Sequence, residues 1–190
     1  MRFMPLPRPL ADQTPVFSRS ASAGTLEALA VEVSLACDEP RTMPARIRAA
    51  LERAAADPGL LDASQCVPNA GCYARHVLYG DPLGRFTILA IVWAAGQFSR
   101  PHAHDTWCAY AVYEGPLHET IFAADAAGSR IEPVCAEVRQ NGYSCFARAG
   151  LDQIHSLGNS GSKPAISIHV YGVARERIAT HVNRFVEVAS

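Results

Sequence analysis

Apolar residues at helical spacing open the chain and give way, after Cys66, to short runs in which apolar and polar positions alternate. Over residues 25–37, Leu26, Leu29, Ala30, Val33 and Ala36 recur at the i, i+3, i+4, i+7 spacing that makes one apolar helix face. A second helix is expected from Thr42, its cap, through Pro44 in the first turn and an Ala/Arg/Leu/Glu-rich body. Asp57-Pro58-Gly59 then stops it. Alternation predicts strands over residues 73–79, 86–93, 103–113, 118–123, 133–139, 144–147 and 166–171, with a last one over 181–188. Turn signals at Gly80-Asp81-Pro82, Asn141-Gly142 and Asn159-Ser160-Gly161 separate them. Many short strands with close turns predict a mainly β fold, a jelly-roll barrel or sandwich with the two helices packed outside it. Residues 1–24, rich in proline and small polar residues, read as an extended arm. Residues 25–190 then form one unit, with helices over 25–57 and the barrel over 66–190.

Composition narrows the function classes. A chain of 190 residues, 49% hydrophobic and 18% charged, can bury one real core and is not a disordered tail. It has no apolar run of membrane-spanning length and no apolar leader, so no membrane association is expected. A net charge of −1 gives no electrostatic case for nucleic acid. The six cysteines include no Cys-x-x-Cys pair, and free thiols in a reducing cytoplasm fit them better than disulfides or a thiolate zinc site. Lys163 is the only lysine and sits in a Gly/Ser-rich turn, so Schiff-base chemistry is discounted.

Candidate chemistry concentrates between Gly96 and Gly115. His102 and His104 stand at i and i+2, so on a strand both imidazoles leave one face and can bind one metal ion. Gly96 and Gly115 suit turns at the ends of a strand pair. This frame resembles the first half of the cupin motif: Gly, five residues, His-x-His, three residues, an acidic ligand, six residues, Gly. Cys108 stands where most metal cupins carry glutamate. His155, in the run Gly150 to Asn159, keeps the His-x-x-x-Asn ending of the second cupin motif. The resemblance implies that His155 projects inward as a third ligand. Three neutral imidazoles would leave a divalent ion its full charge and open positions for an anionic sulfur and dioxygen. Imidazole also suits zinc, copper and nickel, and the plain alternative is a histidine-rich barrel without metal. His76, His118 and His181 lack this context and read as ordinary strand or surface residues.

From the second helix to about Gly172 the chain resembles the cysteine dioxygenase type I family, iron cupins that oxidise a thiol to a sulfinic acid. His102, His104 and His155 match that family's iron(II) ligands, and Ser167-Ile-His169-Val-Tyr171 matches its Ser-x-His-x-Tyr segment. Alternation independently puts Ser167, His169 and Tyr171 on one strand face, where hydroxyl, imidazole and phenol can form a relay. The alternative is a polar stripe on a solvated face. The resemblance implies that Tyr171 points at the iron. Cys108 stands where some members cross-link a cysteine to the site tyrosine; otherwise it is a small buried cysteine. Tyr73-Ala-Arg75 matches the Tyr-x-Arg of members that oxidise cysteine, with Arg75 gripping the substrate carboxylate. The short link from His104 to Cys108 and the Tyr171-Gly172 ending resemble instead the 3-mercaptopropionate branch, in which a later arginine contributes. Arg175 and Arg177 lie nearby without a clear match.

The resemblance implies an iron(II) enzyme that adds both atoms of dioxygen to the sulfur of a small thiol carboxylic acid. L-Cysteine is favoured by Arg75, and 3-mercaptopropionate or another mercapto acid is the alternative. A non-catalytic metal- or ligand-binding cupin is the reading from another class. Neither the thiol nor the oligomeric state follows from the sequence.

Overall fold

A computed structural model describes residues 21–125 and 130–186. Most of the expected N-terminal arm lies outside the described residues, and its last part, from Ala21, already belongs to the first helix. That helix, α1 (Ala21–Cys37), ends before Pro40, and α2 (Met43–Ala55) ends before Pro58. Thr42 holds the cap position of α2, but its hydroxyl donates to the Glu39 carbonyl and caps no amide of the helix.

Ten strands follow among the described residues: β1 (Ala74–Gly80), β2 (Thr87–Trp93), β3 (His102–His104), β4 (Cys108–Glu114), β5 (Leu117–Ala124), β6 (Ile131–Arg139), β7 (Ser144–Ala147), β8 (Gly150–Gly158), β9 (Ala165–Tyr171) and β10 (Asn183–Phe185). They form two antiparallel five-stranded sheets, ordered β1-β2-β9-β4-β7 and β10-β3-β8-β5-β6. The mainly β architecture with two N-terminal helices is the one expected. Among the described residues no helix is long and apolar enough to cross a membrane.

Two strand readings needed correction. The single strand expected over 103–113 is two strands, β3 and β4, in opposite sheets. The chain changes sheet across Asp105, Thr106 and Trp107, where Asp105 N–H donates to the Val182 carbonyl and Gly172 N–H to the Trp107 carbonyl. Strand β8, which carries His155, was not expected. Its apolar residues Leu151, Ile154 and Leu157 fall three apart, a spacing that hides the two-residue period of a strand.

Both faces of the first sheet are buried. Ile88 and Ala90 of β2, Ala109 and Ala111 of β4, and Ile166, Ile168 and Val170 of β9 pack under Leu29 and Val33 of α1 and Ile47 and Leu51 of α2. Alternation then turns the intervening residues into the barrel: Leu89, Ile91 and Trp93; Cys108, Tyr110 and Val112; Ser167, His169 and Tyr171. The polar stripe of β9 is therefore inside, with Ser167 and His169 at 0% and 4% exposure, and is not a solvated face. The helices thus make an enclosed polar site possible by covering the sheet's other face.

Candidate metal centre

The three histidines of the two motifs converge. Strand β3 supplies His102 and His104, and antiparallel pairing with β8 sets His102 opposite His155. One ring nitrogen from each of His102, His104 and His155 lies within 4.8 Å of the others, two of the residues being fully buried and one partly so. The turns that frame β3 and β4 use the expected glycines, since Gly96 and Gly115 hold φ values of 77° and 70°.

Hydrogen bonding shows what these rings are prepared to do. His102 Nδ1 lies 2.8 Å from the Arg100 carbonyl, and His155 Nδ1 lies 2.7 Å from Glu119 Oε1. Both partners only accept, so each Nδ1 carries the hydrogen and each Nε2 offers a lone pair. His104 Nε2 stands 3.3 Å from His155 Nε2. His104 Nδ1 is buried without a hydrogen-bond partner, so nothing behind the ring sets its tautomer, and its Nε2 is placed to share one centre with the other two rings. Burial, reinforced by the neighbouring rings, lowers the His102 pKa to about 3 and that of His104 to about 2. Both are neutral at ordinary pH, the form that binds metal. The donor set therefore fits a divalent ion, and imidazole alone does not choose which.

Beside the triad runs a relay. Trp93 Nε1 donates to Ser167 Oγ at 2.9 Å, Ser167 Oγ lies 2.8 Å from His169 Nε2, and His169 Nδ1 lies 3.1 Å from the Tyr171 hydroxyl. The indole only donates, so Ser167 Oγ accepts from it, while Ser167 Oγ and His169 Nε2 share one hydrogen, as do His169 Nδ1 and the Tyr171 oxygen. The Tyr171 hydroxyl is thus held between His169 and the Cys108 thiol. Burial holds the His169 pKa well below, and the Tyr171 pKa well above, its ordinary value, so both are neutral. The Tyr171 ring centroid is 5.8 Å from that of His104. Cys108 sits directly opposite Tyr171 on β4, and the two side chains are in hydrogen-bond contact. Its thiol is fully buried and, mainly for that reason, its pKa is well above the ordinary value.

One cavity touches His102, His104, His155, Cys108, His169 and Tyr171 together. Tyr73 also lines it, with its ring against Trp93 at a centroid distance of 4.6 Å. Arg75 pairs with Ile91, itself a cavity residue, and its charge acts on both Tyr73 and Tyr171. Arg75 is half-buried, is not itself among the residues lining the cavity, and has no carboxylate partner among the described residues. Arg175 and Arg177 do not line the cavity; Arg175 packs instead against Gly80. Nor do His76, His118 and His181 reach it.

Sequence reasoning missed three contributors. Glu119, 3% exposed, bonds both His155 and Arg139. Burial alone would raise its pKa, but those two hydrogen bonds hold it below the usual carboxylate value. Its signal was an acid sharing the alternating face of Leu117 and Ile121. Asn183 lines the cavity opposite His104 with its buried Oδ1 unpartnered, and Trp93 anchors the relay. Neither carried a spacing signal.

The chain is similar in fold to an uncharacterised conserved protein with a double-stranded β-helix domain from Klebsiella pneumoniae. The two share 18% identity over 67% of this chain and 90% of that one, with a TM-score of 0.50. A protein from Thermus thermophilus, TT1209, aligns with 20% identity over 60% of this chain and 95% of its own, at a TM-score of 0.43. The family described as cysteine dioxygenase type I matches residues 70–184, which span His102, His104, His155, the relay and Arg75. With that match covering more than half of its length, the chain belongs to the cysteine dioxygenase type I family.

Proposed function

We propose that this protein is an iron(II) thiol dioxygenase, converting a small thiol carboxylic acid and dioxygen to a sulfinic acid. The observation that carries the reading is the three-histidine centre sharing one cavity with the Ser167-His169-Tyr171 relay. Family membership supports it. His102, His104 and His155 would hold iron(II), which when bound would supply the redox chemistry for oxidising sulfur with dioxygen.

The chain's own residues bind, orient and enclose the reactants. Arg75 grips the carboxylate of the substrate, its guanidinium being uncommitted to any acid among the described residues. Tyr73, packed on Trp93, forms the wall beside it. The Tyr171 hydroxyl, held between His169 and Cys108, lines the cavity and turns its hydrogen to substrate or oxygen when they bind. Leu157 and Ile91 line the remaining walls and exclude water. L-Cysteine is the favoured thiol on the strength of Arg75, with 3-mercaptopropionate the alternative suggested by the short link between His104 and Cys108. All six cysteines are free, which fits the reducing cytoplasm proposed as its setting.

Product analysis after turnover under isotopically labelled dioxygen tests the reaction type. Sulfinate carrying label at both oxygens is expected. Disulfide as the sole product would reject dioxygenation and favour a metal-binding cupin that merely promotes thiol autoxidation.

A further inference from the structure

The three histidines are not equivalent behind the ring. His102 Nδ1 donates to a neutral carbonyl, His104 Nδ1 has no hydrogen bond, and His155 Nδ1 alone meets a carboxylate, Glu119 Oε1 at 2.7 Å. That carboxylate is itself fixed. Its Oε2 accepts from Arg139 Nε at 2.8 Å, and the Arg139 guanidinium lies over the Tyr143 ring at 4.3 Å from the centroid and also pairs with Glu137. The chain of contacts runs from β8 through β5 to β6, crossing neighbouring strands of one sheet. Side-chain exposures of 4% for Glu119 and 16% for Arg139 keep water from competing for it.

Resting on the reading of the triad as a metal centre, we propose that Glu119, locked by Arg139, is the positioning residue that makes His155 the strongest and most rigid metal donor. Two consequences follow from the bonding. A carboxylate that accepts from Nδ1–H puts electron density into the imidazole, strengthening Nε2 as a ligand and fixing the ring's rotation. With both oxygens committed, Glu119 is also held away from the cavity, so the acid that bonds His155 does not itself become a ligand. The centre keeps three neutral donors, and a bound dication keeps its full charge for an anionic substrate.

Cobalt(II), a spectroscopic probe for divalent sites, provides the test by visible-absorption titration of the full chain. Glu119→Gln keeps an acceptor for His155 and removes the charge. Glu119→Gln/Arg139→Gln additionally removes the cation that Glu119 holds, leaving only the exposed Glu137 without it, and provides a folded comparison. Cobalt affinity is expected to fall about 10- to 100-fold in the double variant. Its metal-free melting temperature should stay close to that of Arg139→Gln alone. Glu119→Asp, which restores charge at a shorter reach, should recover part of the affinity. A folded double variant binding cobalt as tightly as the native protein would overturn the proposal. Failure of the native protein itself to bind cobalt would overturn the triad reading beneath it.

Discussion

Cys108 and Tyr171 stand directly opposite one another across β4 and β9, with thiol and phenol in hydrogen-bond contact inside the barrel. Antiparallel pairing fixes this juxtaposition through the backbone, so neither side chain can drift from the other. The phenol ring lies beside the histidine cluster, with its centroid 5.8 Å from that of His104. This places an oxidisable pair where dioxygen chemistry is proposed to occur. Turnover with iron(II) and dioxygen is expected to join Cys108 sulfur to the carbon next to the Tyr171 hydroxyl. The S–H and C–H hydrogens leave as dioxygen is reduced. Intact mass should fall by two hydrogens, with no change in Cys108→Ser. An unchanged mass after many turnovers would show that the pair is packing alone.

Replacing a ligand and replacing a relay residue should separate cleanly. His104→Ala is expected to abolish stable iron binding, because the two remaining imidazoles cannot hold the ion against water. His169→Ala should retain iron while lowering kcat on the order of 10-fold, and Tyr171→Phe on the order of 100-fold, by removing the donor to the reacting groups. Metal analysis after dialysis, beside steady-state rates, checks both. Loss of iron in His169→Ala would mean that the relay supports the centre rather than the chemistry.

Arg75 is expected to act on substrate binding alone. Arg75→Ala removes a charge-assisted contact of about 1.5–3 kcal/mol, so KM for carboxylate thiols should rise roughly 10- to 150-fold. Iron content should stay unchanged. A thiol lacking a carboxylate, such as cysteamine, should show little difference between native protein and variant.

Acid should destabilise the metal-free protein. His102 and His104 have folded-state pKa values of about 3 and about 2, below the ordinary 6.5 they regain on unfolding. The unfolded chain therefore binds more protons as pH falls below 6.5, and stability drops with it toward the folded values. Glu119, also lowered in the fold, adds to the loss at still lower pH. The melting temperature of metal-free protein is expected to fall steadily from neutral pH to about pH 5, a window set by the imidazoles. A flat profile there would show that the rings are solvated or already charged.

The centre was legible in the sequence to the extent that spacing carries geometry. His102 and His104 share a strand face because the strand period is two, and the positive φ of Gly96 and Gly115 answers to their place at the turns. Ser167, His169 and Tyr171 were placed on one face by the same rule, but whether that face is wet depends on the helices packed behind it. The sheet change between β3 and β4 was hidden because Ala103 to Tyr113 is apolar enough to read as one strand. Glu119 was missed for a different reason. Its partners His155 and Arg139 lie 36 and 20 residues away, and only strand pairing brings them together.

Oxygen consumption by iron(II)-loaded protein, with L-cysteine, 3-mercaptopropionate and mercaptosuccinate supplied in parallel, tests the central claim most directly. Rapid uptake with one thiol carboxylic acid, matched by formation of its sulfinate, is the expected result, with L-cysteine the fastest. No thiol-dependent uptake with any of the three, while iron stays bound to His102, His104 and His155, would contradict a thiol dioxygenase and leave a metal-binding cupin.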